Sequence, residues 1–140
     1  MVERWVSTMP FVQCSTIEFE MERPSYTYLT LRRFRQLEPD TCFSVVMGMD
    51  SLAQLHLWRN YEEIVRHHAI YVFKREGYTF DPLLIPVLQL HPEIVVHLMD
   101  APLFPYSSTV IRDMLQKGEN PEELLPEVVW RFIDGHSLYR

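Results

Sequence analysis

Three short stretches of this chain place phosphate- or ribose-compatible groups close together. In Ser107-Ser108-Thr109-Val-Ile-Arg112, three hydroxyls precede a cation four residues beyond Ser108. At a helix amino terminus, unpaired N–H groups and the positive dipole end suit an anion. Arg112 shares a helix face with Ser108 and brings a planar group able to grip phosphate oxygens. The same residues also make an ordinary Ser/Thr cap with a surface arginine. Gly48-Met49-Asp50 follows an apolar run, where glycine lets backbone approach a ligand closely and an acid can accept ribose hydroxyls. Asp50 equally suits a cap for the following helix. Lys74-Arg75-Glu76-Gly77 closes the next apolar run. If the strands are parallel, all three stretches lie at one sheet edge, where ligands collect in open α/β sheets. Together they point to a nucleotide polyphosphate site. Trp58, between two helical pieces, serves either packing or as a flat platform for an aromatic ring.

Other chemistries find less support. None of the six histidines pairs with an acid on one helix face in a metal-binding pattern, and no metal site is expected. Ser25, Cys14 and Cys42 have no base spaced for nucleophilic catalysis. Two cysteines are too few for a disulfide framework, and both lie in apolar, strand-like stretches. They read as buried small hydrophobes in a reduced compartment. A net charge of -6 argues against nucleic-acid binding through a basic surface. No signal pattern opens the chain and no apolar run is membrane-length, so no membrane partner and a cytoplasmic location are expected.

The elements that must position these residues follow from periodicity. With 140 residues and 47% apolar residues, the chain fits one domain, 1–140, with a real core. Met1 to Val6 reads as helix, without a capping signal before it. Phe11 to Phe19 is β-branched and loosely alternating, which predicts a strand or extended edge. Pro24-Ser-Tyr-Thr27 is a turn offering hydroxyl caps to a helix that runs to about Leu37. That helix carries Leu31, Phe34 and Leu37 on one face and presents Arg32, Arg33 and Arg35 to solvent or ligand. Residues 42–47, 69–73 and 93–99 read as strands buried on both faces. Helical stretches at 52–55 and 61–68 separate the first two, giving a βαβ unit. Residues 79–92, with three prolines, are the least regular. After Ala101-Pro-Leu-Phe-Pro-Tyr106, a helix begins at the Ser107 cluster and stops at Lys117-Gly118. A last helix runs from Pro126 to Asp134, with Gly135 as its stop. The class is α/β with a mainly parallel sheet, thin at three or four strands.

Several of these stretches resemble, in order, the motifs of bacterial nicotinate-mononucleotide adenylyltransferases, members of the nucleotidyltransferase α/β superfamily. Pro24-Ser-Tyr-Thr-Tyr-Leu-Thr30-Leu is similar to their Ser-Tyr-Thr-x-x-Thr-Leu signature. Gly48-Met-Asp50-Ser-Leu through Trp58 resembles their Gly-x-Asp-x-Leu…Trp segment, and Arg75-Glu-Gly77-Tyr78 their Arg-Pro-Gly-Tyr, with Glu76 in place of proline. Tyr106-Ser-Ser-Thr-Val-Ile-Arg112 matches their Ile-Ser-Ser-Thr-x-Ile-Arg except at Tyr106. The carboxy-terminal stretch Leu125-Pro-Glu-Val…Tyr139 is also similar. The resemblance implies a Rossmann-like, nucleotidyltransferase-type fold and the joining of ATP to nicotinate mononucleotide in NAD biosynthesis, giving deamido-NAD and pyrophosphate, with Mg2+ accompanying ATP. It implies that Gly48, Asp50, Arg75, Ser107, Ser108, Thr109 and Arg112 contact ATP. Thr27 and Trp58 would contact nicotinate mononucleotide.

The chain departs from that pattern at one place. It contains no Gly-x-Phe-x-Pro-x-His-x-Gly-His segment, whose glycines and histidines in the family face the α-phosphate. The expectation is a sheet incomplete at its amino-terminal side, a carboxy-terminal portion of the domain, no identifiable catalytic residue and little turnover by these residues alone. An unpaired sheet edge would favour a homo-oligomer. A non-catalytic nucleotide-binding or interaction remnant is the alternative, although Asp50, Trp58 and Ser107 to Arg112 are all retained. A pantetheine-phosphate type of adenylyltransferase fits the Ser-Tyr-Thr turn and the Trp58 segment less well.

Overall fold

Three short strands, β1 (Val45–Gly48), β2 (Ile70–Phe73) and β3 (Val96–Leu98), pair in parallel in the order β1-β2-β3. The crossover between β1 and β2 carries helices α3 (Met49–Gln54) and α4 (Tyr61–His67); the next carries α5 (Pro86–Leu90). This is the α/β class expected. In the computed structural model, which describes residues 1–103 and 106–140, the chain forms two units. One is Ile17–Phe104, the other Met1–Thr16 with Pro105–Arg140. Phe104 and Pro105, in the stretch from Ala101 to Tyr106 that precedes the Ser107 helix, lie outside the described residues.

The sheet unit is built on strand alternation. Side chains two residues apart share a face, so Val45, Met47, Ile70 and Val72 turn together onto Leu52, Leu55, Ile64 and Val87. Leu52, Leu55, Ile70, Val72 and Val87 are fully buried, each contributing roughly 1.5–3 kcal/mol by leaving water. The opposite face differs from expectation. Val46 is 65% exposed and Phe73 is also exposed, so β1 and β2 are buried on one face rather than two. The ladder begins only at Val45, leaving Cys42 outside it; Cys42 and Cys14 are both exposed, not buried.

Phe11–Phe19 is not a strand. The described strands pair only with one another, and this stretch instead ends in a single 3-10 turn, Ile17–Glu20, with Phe11 and Phe19 exposed. The proline-rich stretch, in turn, holds a helix. Pro86 opens α5, at a position where its missing N–H costs nothing. Helix α2 (Thr27–Leu37) packs Leu31 on the sheet core and sets Phe34 against Phe43 at 5.3 Å between ring centroids. Leu37, expected on the same face, is exposed.

The second unit holds α1 (Val2–Val6), α6 (Ser108–Gln116) and α7 (Glu127–Gly135). Its core gathers Ile111, Leu115 and Ile133, with Leu125 and Trp130 packed around them. Arg4 lies 4.9 Å over the Phe132 ring, tying α1 to α7. Helix α6 stops as read. Gly118 adopts φ +76, a left-handed conformation that glycine enters without strain, and the Glu119 N–H reaches back to the Met114 carbonyl at 2.9 Å. Among the described residues, no helix is long and apolar enough to cross a membrane.

Candidate functional site

Parallel register carries two of the three expected stretches to one edge. Gly48 pairs with Phe73, so β1 and β2 end side by side, and Gly48-Met49-Asp50 and Lys74-Arg75 leave the sheet at the same rim. A side chain on Gly48 would collide with the Asp50 carboxylate, which folds back over it. Glycine is therefore needed for the acid's position; the Gly48 backbone itself is ordinary extended chain. Asp50 lies in the first turn of α3, where the dipole favours its charge. Arg75 is half-buried in a turn closed by the Tyr78 N–H on its carbonyl at 3.1 Å, with Gly77 at φ +80. Lys74 Nζ reaches Asp100 Oδ1, just beyond β3, at 3.4 Å.

Ser107, Ser108, Thr109 and Arg112 belong to the other unit. Ser107 is the N-cap of α6: its Oγ accepts from the Val110 N–H at 3.3 Å. Arg112 Nη2 donates to Ser108 Oγ at 3.2 Å, the i, i+4 pairing expected. A cavity of about 330 Å³ opens here, its lining combining Ser107, Ser108 and Arg112 with apolar Ile111, Leu125 and Ile133. Cap and anion-binding roles are compatible, since a cap occupies one N–H and leaves the others of the first turn available.

Thr27 is the first helical residue of α2, following Tyr26 as N-cap. The expected hydroxyl cap is not formed, because Tyr26 carries its hydroxyl too far out to reach the helix N–H groups. Instead Thr30 Oγ1 donates to Glu18 Oε1 at 2.7 Å. Trp58 is half-buried against the sheet core. Arg59, which follows it, donates to the Tyr26 hydroxyl at 3.3 Å and stands 4.9 Å from that ring's centroid. Thus the start of α2 and the Trp58 segment are brought together, as a shared site requires.

Sequence reasoning missed the residues that make this join. Tyr26 stacks with Tyr28 at 6.2 Å, and Arg32 lies over Tyr28. Arg32 and Arg35 converge on Glu63 of α4, at 2.5 and 2.8 Å; Arg32 keeps the solvent exposure expected, while Arg35 is half-buried. The Arg32 hydrogen bond holds the Glu63 carboxyl below the usual carboxylate range. His68, just after α4, is buried, and its Nδ1 pairs with the Phe43 carbonyl at 2.8 Å. Burial pushes its pKa below the ordinary histidine value. No spacing in the sequence signals these long-range partners.

No family model matches the chain. It is 42% identical over 129 residues to the probable nicotinate-nucleotide adenylyltransferase of Flavobacterium johnsoniae, spanning 92% of this chain and 64% of that one. The Flavobacterium psychrophilum relative of the same name is 39% identical, with 94% of this chain and 65% of its own length covered. The Shigella boydii relative, also of that name, aligns with all of this chain and 73% of its own length at 33% identity. The structure of Plasmodium falciparum nicotinic acid mononucleotide adenylyltransferase complexed with APC is similar at a TM-score of 0.64, with 21% identity, over 82% of this chain and 58% of that one. That likeness establishes the nucleotidyltransferase-type α/β fold. The chain spans less than two thirds of the length of either Flavobacterium protein, yet shares a third or more of its residues with full-length relatives, and so belongs to the nicotinate-nucleotide adenylyltransferase family.

Proposed function

We propose that this chain contributes the nucleotide-binding part of adenylyl transfer to nicotinate mononucleotide. In that reaction a phosphate oxygen of nicotinate mononucleotide attacks the α-phosphorus of ATP, the bond to the β-phosphate oxygen breaks, and pyrophosphate leaves with deamido-NAD formed. Little covalent help is needed; alignment of reactants and neutralisation of developing charge carry most of the catalysis. The first turn of α6 with Ser107, Ser108, Thr109 and Arg112 would hold ATP phosphates. Gly48 and Asp50 would meet the adenosine, and Arg75 would face the phosphates. Thr27 and Trp58 would take the pyridine nucleotide. The observation that carries this reading is that a chain holding all these residues aligns along its whole length, at 33% identity, with a relative of that name.

Magnesium, in this proposal, arrives as the ATP complex. Among the described residues no group of three or more His, Cys, Asp or Glu is placed to hold a metal. A cytoplasmic location and a homo-oligomer are further parts of the proposal, the latter supported by the exposed Val46 on edge strand β1.

Calorimetric titration with MgATP and a pyrophosphate-release assay test the reading. The chain is expected to bind ATP, and Arg112→Ala to weaken that binding by about tenfold, the scale of a lost charge-assisted hydrogen bond. Turnover by the 140 residues alone is expected to be low, since they hold no Gly-x-Phe-x-Pro-x-His-x-Gly-His. Failure to bind ATP rejects the function. Robust turnover rejects the requirement for those histidines.

A further inference from the structure

We propose that the cavity beside α6 takes a second class of ligand, a phosphate monoester with a short apolar tail, which competes with ATP for Arg112. The head group rests on the reading that Ser107, Ser108 and Arg112 hold ATP phosphates; the tail does not. Phosphate oxygens are held by N–H groups, hydroxyls and a cation, and gain nothing from hydrocarbon. Yet the most buried residues lining this cavity are Ile111 and Ile133, joined by the half-buried Leu124, Leu125 and Val129. A mostly apolar lining with a few convergent polar groups is the ordinary composition of a small-molecule site.

Charge complementarity selects the head. Among the described residues Arg112 forms no ion pair, its Nη2 donating to the neutral Ser108 hydroxyl at 3.2 Å. In the same unit Arg131 and Arg140 are taken by Glu127 and Asp134. Arg112 is also exposed, so an anion reaches it without local unfolding. Size selects the tail. At about 30 Å³ for each water-sized group, 330 Å³ holds on the order of ten non-hydrogen atoms, a phosphate with a chain of about six carbons. The exposed Tyr106 and Tyr139 complete the lining. Tyr139 has φ +66, a conformation that bulky residues rarely enter. Contacts on both sides hold it there: Leu138 packs into the helical core, and Arg140 reaches Asp134 at 2.5 Å.

Titration calorimetry of the 140-residue chain with inorganic phosphate and with ethyl, butyl, hexyl and octyl phosphate tests this. Affinity should rise about two- to fourfold per methylene up to hexyl, the span from half to full burial of the tail. It should level off at octyl, where the tail outgrows the cavity. Hexyl phosphate should displace MgATP, whereas adenosine, which has no phosphate, should not displace hexyl phosphate. Arg112→Ala should weaken every ester about tenfold and leave the hexyl-to-ethyl ratio unchanged. Val129→Asn should lower that ratio severalfold with inorganic phosphate binding unchanged; a thermal melt checks that this variant is folded, and the series on the unmodified chain does not depend on it. No dependence on tail length in a chain that binds MgATP overturns this inference alone. So does a rise that continues through octyl, the mark of adsorption to apolar surface, or displacement by adenosine, the mark of a base pocket. Binding of no phosphate compound, ATP included, overturns the phosphate-site reading and this inference with it.

Discussion

Gly48 and Asp50 show how a short motif can be required for a reason other than backbone freedom. The strand end at Gly48 adopts an extended conformation open to any residue, and what excludes a side chain is the Asp50 carboxylate packed over the glycine. Because that carboxylate ends a flexible side chain, Gly48→Ala should leave the fold nearly as stable while moving the acid. The expected outcome is weaker ATP binding with little change in Tm, measured by titration and thermal melt on one sample. A large drop in Tm would instead place the constraint in the backbone. The cysteines make a second residue-scale case. Apolar neighbours suggested burial, but Cys14 lies in a stretch that joins no sheet and Cys42 precedes the first ladder position. Both thiols are therefore expected to react with a water-soluble disulfide reagent in the native chain at rates close to those in denaturant.

At the level of elements, legibility tracked the range of the interaction that decides each feature. The end of α6 was readable because Lys117-Gly118 satisfies local carbonyls through glycine's left-handed turn, and the start of α7 because Pro126 needs no partner. Thr27 and Trp58 were singled out through motif resemblance. Arg59, Tyr26 and Glu63 were not, because their significance lies in contacts 28 to 33 residues apart in sequence. The α2–α4 junction predicts an acid response with two parts. His68 has a lowered pKa in the fold, so the unfolded chain gains a proton first, and stability falls as pH drops below about 6.5. Glu63 also has a lowered pKa. Its contribution is complete above the ordinary carboxylate value of about 4.3 and is lost as pH falls through the lower folded value. Denaturant melts across this range should show both declines. His68→Asn, which can still donate to the Phe43 carbonyl, should remove the upper one, and Glu63→Gln the lower one with a Tm reduced by a few degrees at neutral pH.

For the molecule as a whole, the exposed sheet face is the feature that predicts behaviour in solution. Parallel sheets are normally covered on both faces, yet here Val46 is 65% exposed, Phe73 is exposed, and β1 has a strand on one side only. Tyr71 and His97 stack on the same face at 4.6 Å, extending a flat surface across all three strands in register with Val46. An unpaired strand edge beside apolar surface is a template for another copy of the chain. The net charge of -6 opposes that association, but its repulsion is screened at physiological salt over about 8 Å, while contact between apolar faces is not. Sedimentation velocity should therefore show a weight-average coefficient that rises with protein concentration, more steeply as salt is added. Val46→Lys places a charge on the edge strand without touching the helix-covered core, and should flatten that rise while leaving the melting curve at low concentration unchanged. A wild-type coefficient that stays constant with concentration would reject self-association through this face.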